Sequence, residues 1–341
     1  MIAGAAMPAP DLSIIIVNWN SADLLRRCLR SIFAAPAPFT FEVLVVDNAS
    51  YDGSAAVTRT HFPRVKFIQS AANLGFAAAN NLAFSCSRGH SILFLNPDTE
   101  ILGDAAGAML EVLLSAPRAG LVGPRLVNPD GSPQLSCRRK FPTLLNQCFD
   151  ADIVRRLCFR LLLPRVQPLP GSAGTALPAQ VVPGACVMVR REVFERLGGF
   201  RESYFMYGED VDLSYEANRA GWQNYYLDSA VVVHYGGESS RRRDFAFAPV
   251  LMRQAMADFL RAKRGWPCAA GYRALTAVVA ILRMLVAASL LAFSPGRARR
   301  HRRLFTLHKW VKILRWTLGL EAWTARPTSQ AAPRTGIGQP A

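Results

Sequence analysis

LSIIIVNWN, residues 12–20, is an unbroken apolar run that ends abruptly in Asn18-Trp19-Asn20. A strand with no polar face has to be buried on both sides, which is the situation of a parallel sheet covered by helices. Ser21 or Asp23 then caps a helix in which Leu24, Leu25, Cys28, Leu29 and Ile32 recur at helical spacing. Working outward, FEVLVVDNAS (41–50), VKFIQS (65–70) and SILFLNPD (91–98) read as further strands, with a small-residue helix over 76–87. This strand–helix rhythm predicts an α/β fold with a doubly wound, mostly parallel sheet. Ligands of such sheets bind beyond the carboxyl ends of the strands. Here those ends carry Asn18-Trp19-Asn20, Asp47-Asn48, Asn73 and Asn96-Pro97-Asp98.

Downstream the pattern loosens. GPRLVNPDGSPQ (123–134) reads as turns, RRKFPT (138–143) as a basic-aromatic segment, and 168–184 as a Pro/Gly loop. Regularity returns in ACVMVRREVFERLGGF (185–200), a strand passing into a helix stopped by Gly198-Gly199. MYGEDVDLSYEANRAGW (206–222) is a helix entered through acids and closed by Gly221, and NYYLDSAVVVHYGG (224–237) is a strand carrying His234.

The net charge of +16 is unevenly placed. Residues 1–240 hold 21 basic and 21 acidic residues, whereas residues 241–341 hold 19 basic residues and 3 acids. A neutral body with a basic end points to an anionic surface touched by that end alone, and disfavours a nucleic-acid binder. The same region contains ALTAVVAILRMLVAASLLAF (274–293), interrupted only by Arg283 and followed by RARRHRR (297–303) and LFTLHKWVKILRW (304–316). An arginine at the midpoint disfavours a span. Helices lying in a membrane interface are the expectation, a hairpin or span the lesser alternative, and a buried core helix the plain reading that the basic flanks disfavour. The division expected is a catalytic domain over 11–240, a helical membrane-associating region over 241–320 and a disordered tail over 321–341. Seven cysteines without CxxC spacing read as reduced thiols with no zinc site. No signal peptide is legible at the N-terminus, so the body is expected at the cytoplasmic face of the inner or plasma membrane.

IIIVNWNSADLLRRCLRSI, VLVVDNASYDGS, NLGFAAANN, LFLNPDTEI and GEDVDLSYEANRAG, in this order and spacing, resemble glycosyltransferase family 2, in its rhamnosyltransferase-like branch. The resemblance covers about residues 11–240 and implies a GT-A fold, a nucleotide-diphosphate sugar donor, Mg²⁺ or Mn²⁺, and inversion at the anomeric carbon. It places Val17, Trp19 and Asp47 at the donor's nucleoside, and Asn73, Gly75, Asn80 and Asn96 toward the rest of the donor. Taken alone, Asp47 reads equally as an Asx-turn residue, the role expected of Asp52, and Trp19 as a rim aromatic. NLGF (73–76) is either a phosphate cradle or a plain cap.

The NPD sequence stands where most of the family has Asp-any-Asp, so Asp98 has to supply most of the charge for a cation. His234 is either a second ligand or a structural histidine. In GEDVDL (208–213) three acids crowd a helix start, which raises a pKa by mutual repulsion or simply complements the helix dipole. The resemblance puts the general base in the Glu209-Asp210 pair; Asp210 is the choice, Glu209 the next candidate, and Asp212 an orienting group. RRKFPT is a phosphate contact or a solvated loop. The expected activity is transfer of a sugar, L-rhamnose from dTDP-L-rhamnose by branch resemblance, to a lipid-linked glycan in polysaccharide, O-antigen or cell-wall assembly. Galactofuranose, glucose or N-acetylglucosamine transfer is the nearest alternative, and a catalytically silent membrane-binding protein of the same fold is the alternative from another class.

Overall fold

The computed structural model describes residues 8–34, 37–134, 140–148, 176–236, 247–292 and 296–321. Strand β1 (Leu12–Asn18) is buried along its whole length, as its composition requires. It pairs in parallel with β2 (Phe41–Asp47) and β4 (Ser91–Leu95), and β2 pairs in parallel with β3 (Lys66–Gln69). Alternation sends its side chains to two cores. Leu12, Ile14 and Ile16 meet Leu25, Cys28, Leu29 and Ile32 of α1 (Ala22–Ala34). Ile15 and Val17 meet the alanines of α3 (Phe76–Ser85) and the ring cluster Phe94, Phe194 and Phe200. Between them, α2 (Ser54–His61) connects β2 to β3.

The other half of the nine-stranded sheet is mixed, in the order β3-β2-β1-β4-β8-β6-β9-β5. Strand β8 (Cys186–Arg190) runs antiparallel between β4 and β6 (Ala119–Val127), and β9 (Gln223–His234) runs parallel to β6. The short β5 (Thr99–Leu102) and β7 (Ala176–Ala179) pair antiparallel with β9. Two sequence readings are corrected here. Residues 123–127 are strand rather than turn: Gly123-Pro124 sits in β6, and the register with β9 shifts between Pro124 and Arg125, so an irregularity absorbs the proline. Residues 176–179, read as loop, form β7, whose Pro178 lies on an edge where a missing N–H costs no ladder bond. Helix α4 (Ala105–Ser115) covers the sheet beside α1, capped by the Asp104 side chain.

The helices that follow are α5 (Leu144–Cys148), α6 (Arg191–Arg196) and α7 (Glu209–Arg219), then α8 (Phe247–Arg264), α9 (Trp266–Ala292) and α10 (Arg297–Thr317). The basic RARRHRR stretch is thus the first part of α10. Residues 237–246, around the expected domain boundary, and 322–341, the expected tail, lie outside the described residues. Across that boundary the two parts share a core: Val181, Val211 and Tyr215 pack with Val250, Phe259, Leu260, Tyr272, Trp310 and Trp316. Lys263 of α8 is buried and lies 2.7 Å from the buried Asp212 of α7. The body and its helical end are therefore held together by apolar burial and by an ion pair shielded from solvent.

Candidate active site

At the carboxyl ends of β1 and β2, the Asn18 side-chain amide donates to Asp47 Oδ1 (2.8 Å) and Ser50 Oγ (3.2 Å). Asp47 Oδ2 accepts from the Ser50 amide (2.9 Å) and from Gln69 Nε2 at the end of β3 (2.8 Å). Asp47 is buried, and its carboxylate ties three strand ends into one ledge. Two polar atoms on this ledge, Asn18 Oδ1 and Asn20 Nδ2, are buried without a protein partner. Asp52 has the turn role expected of it: it accepts from the Ala22 amide at the start of α1 and from the Ser54 amide. Trp19 is half-buried at the rim, and Tyr51, which sequence reasoning passed over, is 86% exposed just beyond Asp47.

The NLGF turn is pinned from the opposite side. Gly75 has φ +82°, and a Cβ there would stand 2.4 Å from the Phe205 carbonyl oxygen, so glycine is required. The Gly75 amide donates to Asn73 Oδ1 (2.9 Å) and the Phe76 amide to Phe205 O (2.7 Å). Asn80 is buried and its amide donates to Phe76 O within α3. The backbone donors read as a phosphate cradle thus have protein acceptors, and the turn holds residues 201–208, which lead into α7.

Asn96, Asp98 and His234 come together. Val17 and Asn96 each follow the last pair of the β1–β4 ladder, Ile16 with Leu95, at one sheet edge. Asp98 is buried, and His234 Nε2 lies 3.4 Å from its Oδ1 because Thr99 of β5 is paired with His234 of β9. Gln134 decides the tautomer. Its Nε2 donates to His234 O (2.7 Å) and Asn128 Oδ1 (3.0 Å), so its Oε1, 3.0 Å from His234 Nδ1, accepts the ring proton. With Nδ1 turned to Gln134, the Nε2 edge of His234 and the Asp98 carboxylate face each other 3.4 Å apart. That donor set fits a divalent cation whose remaining positions a diphosphate and water fill, with Gln134 as the outer partner that orients the imidazole. Among the described residues no group of three or more potential ligands gathers, so such a cation would depend on its substrate.

The acids of α7 divide by environment. Gly208, at φ +88° with Ala255 Cβ 3.0 Å from where its own Cβ would be, turns the chain into the helix. Glu209 is buried, its Oε2 has no partner, and burial followed by the charge of Asp210 pushes its carboxyl up to about 8. Asp210 is half-exposed; its Oδ2 accepts from the Gly184 amide (3.0 Å) and its Oδ1 from the Val211 amide (2.8 Å). Asp212 is buried against Lys263 (2.7 Å), with Arg201 Nε at 3.3 Å. Gly184 also ties the two halves of the site: the adjacent Ala185 carbonyl accepts from the Asn96 amide (2.9 Å). Asp210 and the Asn96-Pro97-Asp98 segment are therefore joined through two consecutive backbone groups before β8. Of RRKFPT, residues 138 and 139 lie outside the described residues; Phe141 stacks edge-on against Tyr215 of α7, ring centroids 5.2 Å apart.

Among solved structures, a mannosyltransferase from Pyrobaculum calidifontis, in complex with GDP-mannose and Mn²⁺, superimposes with a TM-score of 0.53 at 20% identity, covering 90% of this chain and 88% of that one. The fold is GT-A, that of transferases acting on nucleotide sugars. The sequence profile of glycosyl transferase family 2 matches residues 13–198. An N-acetylglucosaminyl-diphospho-decaprenol L-rhamnosyltransferase of Mycobacterium tuberculosis is 31% identical over 250 residues, 68% of this chain and 78% of that protein. Rhamnosyltransferase WbbL of Escherichia coli is 25% identical over 235 residues, 67% of this chain and 84% of that protein. The chain belongs to glycosyl transferase family 2 and is an enzyme, a glycosyltransferase of an inverting family.

Proposed function

We propose that this enzyme transfers L-rhamnose from dTDP-L-rhamnose to a hydroxyl of a lipid-diphosphate-linked glycan, at the cytoplasmic face of the membrane, in the assembly of a cell-envelope polysaccharide. The observation that carries the donor sugar is that two relatives, each matching about two-thirds of this chain, are both rhamnosyltransferases. The mycobacterial relative's name also specifies a polyprenyl-diphosphate acceptor, and the long apolar α9 with its basic companion α10 is suited to working beside such a lipid.

In this reading Val17, Trp19 and Asp47, with Asn18 and Tyr51, form the nucleoside end of the donor site, and Asn73, Gly75, Asn80 and Asn96 shape its floor. Asp98 and His234 would hold Mg²⁺ or Mn²⁺, which would supply charge neutralisation for the departing diphosphate. Asp210 takes the proton from the acceptor hydroxyl as that oxygen bonds to the anomeric carbon and the donor's diphosphate leaves from the opposite side. The Gly184 and Val211 amides keep the Asp210 carboxylate aimed. Glu209 beside it retains its proton at neutral pH, so the two carboxyls do different work.

A hexosyltransferase of Haloferax volcanii, 30% identical over 213 residues, keeps transfer of another sugar as the second reading. Turnover of a panel of dTDP-, UDP- and GDP-sugars by the purified full chain on a polyprenyl-diphosphate N-acetylglucosamine acceptor separates them. Preference for dTDP-L-rhamnose is expected; preference for a UDP- or GDP-sugar would replace the proposed donor.

A further inference from the structure

Helix α9 is 27 residues long, about 40 Å at 1.5 Å per residue, and apolar enough to cross a bilayer by composition. We infer that it does not cross: α9 lies along one leaflet of an anionic membrane, with a single outward stripe entering the boundary between headgroups and acyl chains. This rests on the membrane reading above and adds the surface and its orientation.

The stripe is Val278, Ile281, Leu282, Leu285, Val286 and Leu290, each 40–60% exposed. Their spacing of three, one, three, one and four places them on one side of the helix. Ala269, Tyr272, Thr276, Ala280 and Ala287 are buried, and fall on the opposite side at the same helical spacing. The two arginines of α9 also turn inward. Arg273 sits over the Trp316 ring at 4.6 Å and Arg283 over the Trp310 ring at 5.9 Å. Arg283, which interrupts the apolar run in the sequence, is thus kept off the outward face by an aromatic partner.

Those same contacts set α10 antiparallel to α9, since residue 316 meets 273 and residue 310 meets 283. Helix α10 carries eight Lys and Arg among 21 residues. A spanning α9 would bring Lys309, Lys312 and Arg315 to the depth of the acyl chains alongside it, where charge is strongly disfavoured. The inner side of α9 is also committed to the catalytic body: Tyr272 shares a core with Val211 and Tyr215 of α7. Crossing would drag folded, hydrogen-bonded protein into hydrocarbon. A flat position accommodates these features: the stripe is buried in lipid, Trp266, 72% exposed at the start of α9, sits at headgroup level, and Arg300 and Arg303 of α10 remain exposed for lipid phosphates. Because α8 joins this bundle to α7 through Lys263 and Ala255, the Glu209-Asp210 helix rests on the part of the protein that touches the membrane.

The test uses the full chain with an environment-sensitive fluorescent residue introduced in turn at positions 278, 282, 285 and 290. It is bound to phosphatidylglycerol/phosphatidylethanolamine vesicles whose lipids carry quenchers at defined depths. Expected is maximal quenching by the shallow quencher at all four positions, with depths agreeing to a few ångströms. A crossing helix would instead show a steady depth change of about 18 Å from 278 to 290. That gradient would overturn the orientation while leaving membrane association intact; failure to float with vesicles at all would overturn the membrane reading and the orientation with it. Arg300→Gln and Arg303→Gln are each expected to weaken binding to anionic vesicles about fivefold, and affinity unchanged in the double variant would refute the charge complementarity.

Discussion

Glu209→Gln is the perturbation that separates the two carboxyls of the catalytic helix. Burial, and then the neighbouring Asp210 charge, raise the Glu209 carboxyl from an ordinary 4.5 to about 8. A group that holds its proton more tightly in the folded protein stabilises the fold in acid, and that contribution is lost as pH rises from the unfolded to the folded value. From pH 5 to pH 8 the wild type should therefore lose about 3.5 kcal/mol through this residue, the slope approaching ~1.4 kcal/mol per pH unit between the two values. The glutamine side chain is neutral throughout and isosteric, so the variant's unfolding free energy should not carry that slope. Urea unfolding of both proteins at fixed detergent, followed by tryptophan fluorescence at several pH values, reads the gap directly. It should widen toward pH 8 by several kcal/mol in favour of the variant. Parallel curves, agreeing within about 1 kcal/mol across the range, would refute the claim that Glu209 is held neutral. The kinetics give a second reading. A protonated carboxyl and an amide both donate, so Glu209→Gln should keep transfer at pH 7 within about tenfold; a loss as deep as that expected for a missing general base, ~10²–10⁴, would move the base to Glu209.

Lys263→Met leaves Asp212 buried with only the half-exposed Arg201 and the Tyr204 hydroxyl as partners, and should cost roughly 3–5 kcal/mol of stability. Adding Asp212→Asn to it should restore most of that loss, and a double variant no better than the single would show that Lys263 acts elsewhere. Gln134→Leu removes the acceptor that fixes the His234 ring and should weaken Mn²⁺ binding in the presence of a nucleoside diphosphate by about 10–100-fold, read by electron paramagnetic resonance. Unchanged Mn²⁺ affinity would make His234 a structural residue.

The parallel half of the fold was legible because its strands are buried on both faces: nothing but a covered sheet accommodates LSIIIVN or SILFL. The mixed half was harder to read because β6 and β7 contain Gly-Pro and Pro residues that locally signal turns. Their strand character comes from pairing with β9, a partner far downstream of both in the sequence. The candidate residues at the strand ends and in the GEDVDL cluster were visible as types of chemistry, since carboxylates and a histidine are conspicuous after apolar runs. What joins them was not. Gly184 contributes a backbone amide, Gln134 a single side-chain oxygen, and Lys263 a charge from a helix that reads as membrane-facing. None of the three carries a local signature; each matters only once distant segments are folded against one another. Cys28 illustrates the reverse: its buried context was read correctly, and burial pushes its thiol up to about 12, consistent with a packing role beneath Thr99.

The most direct measurement is paired: glycosyl transfer and nucleotide binding by the full-length Asp210→Asn protein, side by side with wild type. Transfer should fall by ~10²–10⁴ while calorimetric affinity for the nucleoside diphosphate stays within a few-fold. Transfer near the wild-type rate, or nucleotide affinity lost along with it, would show that the carboxylate held by Gly184 is not the group that receives the acceptor's proton.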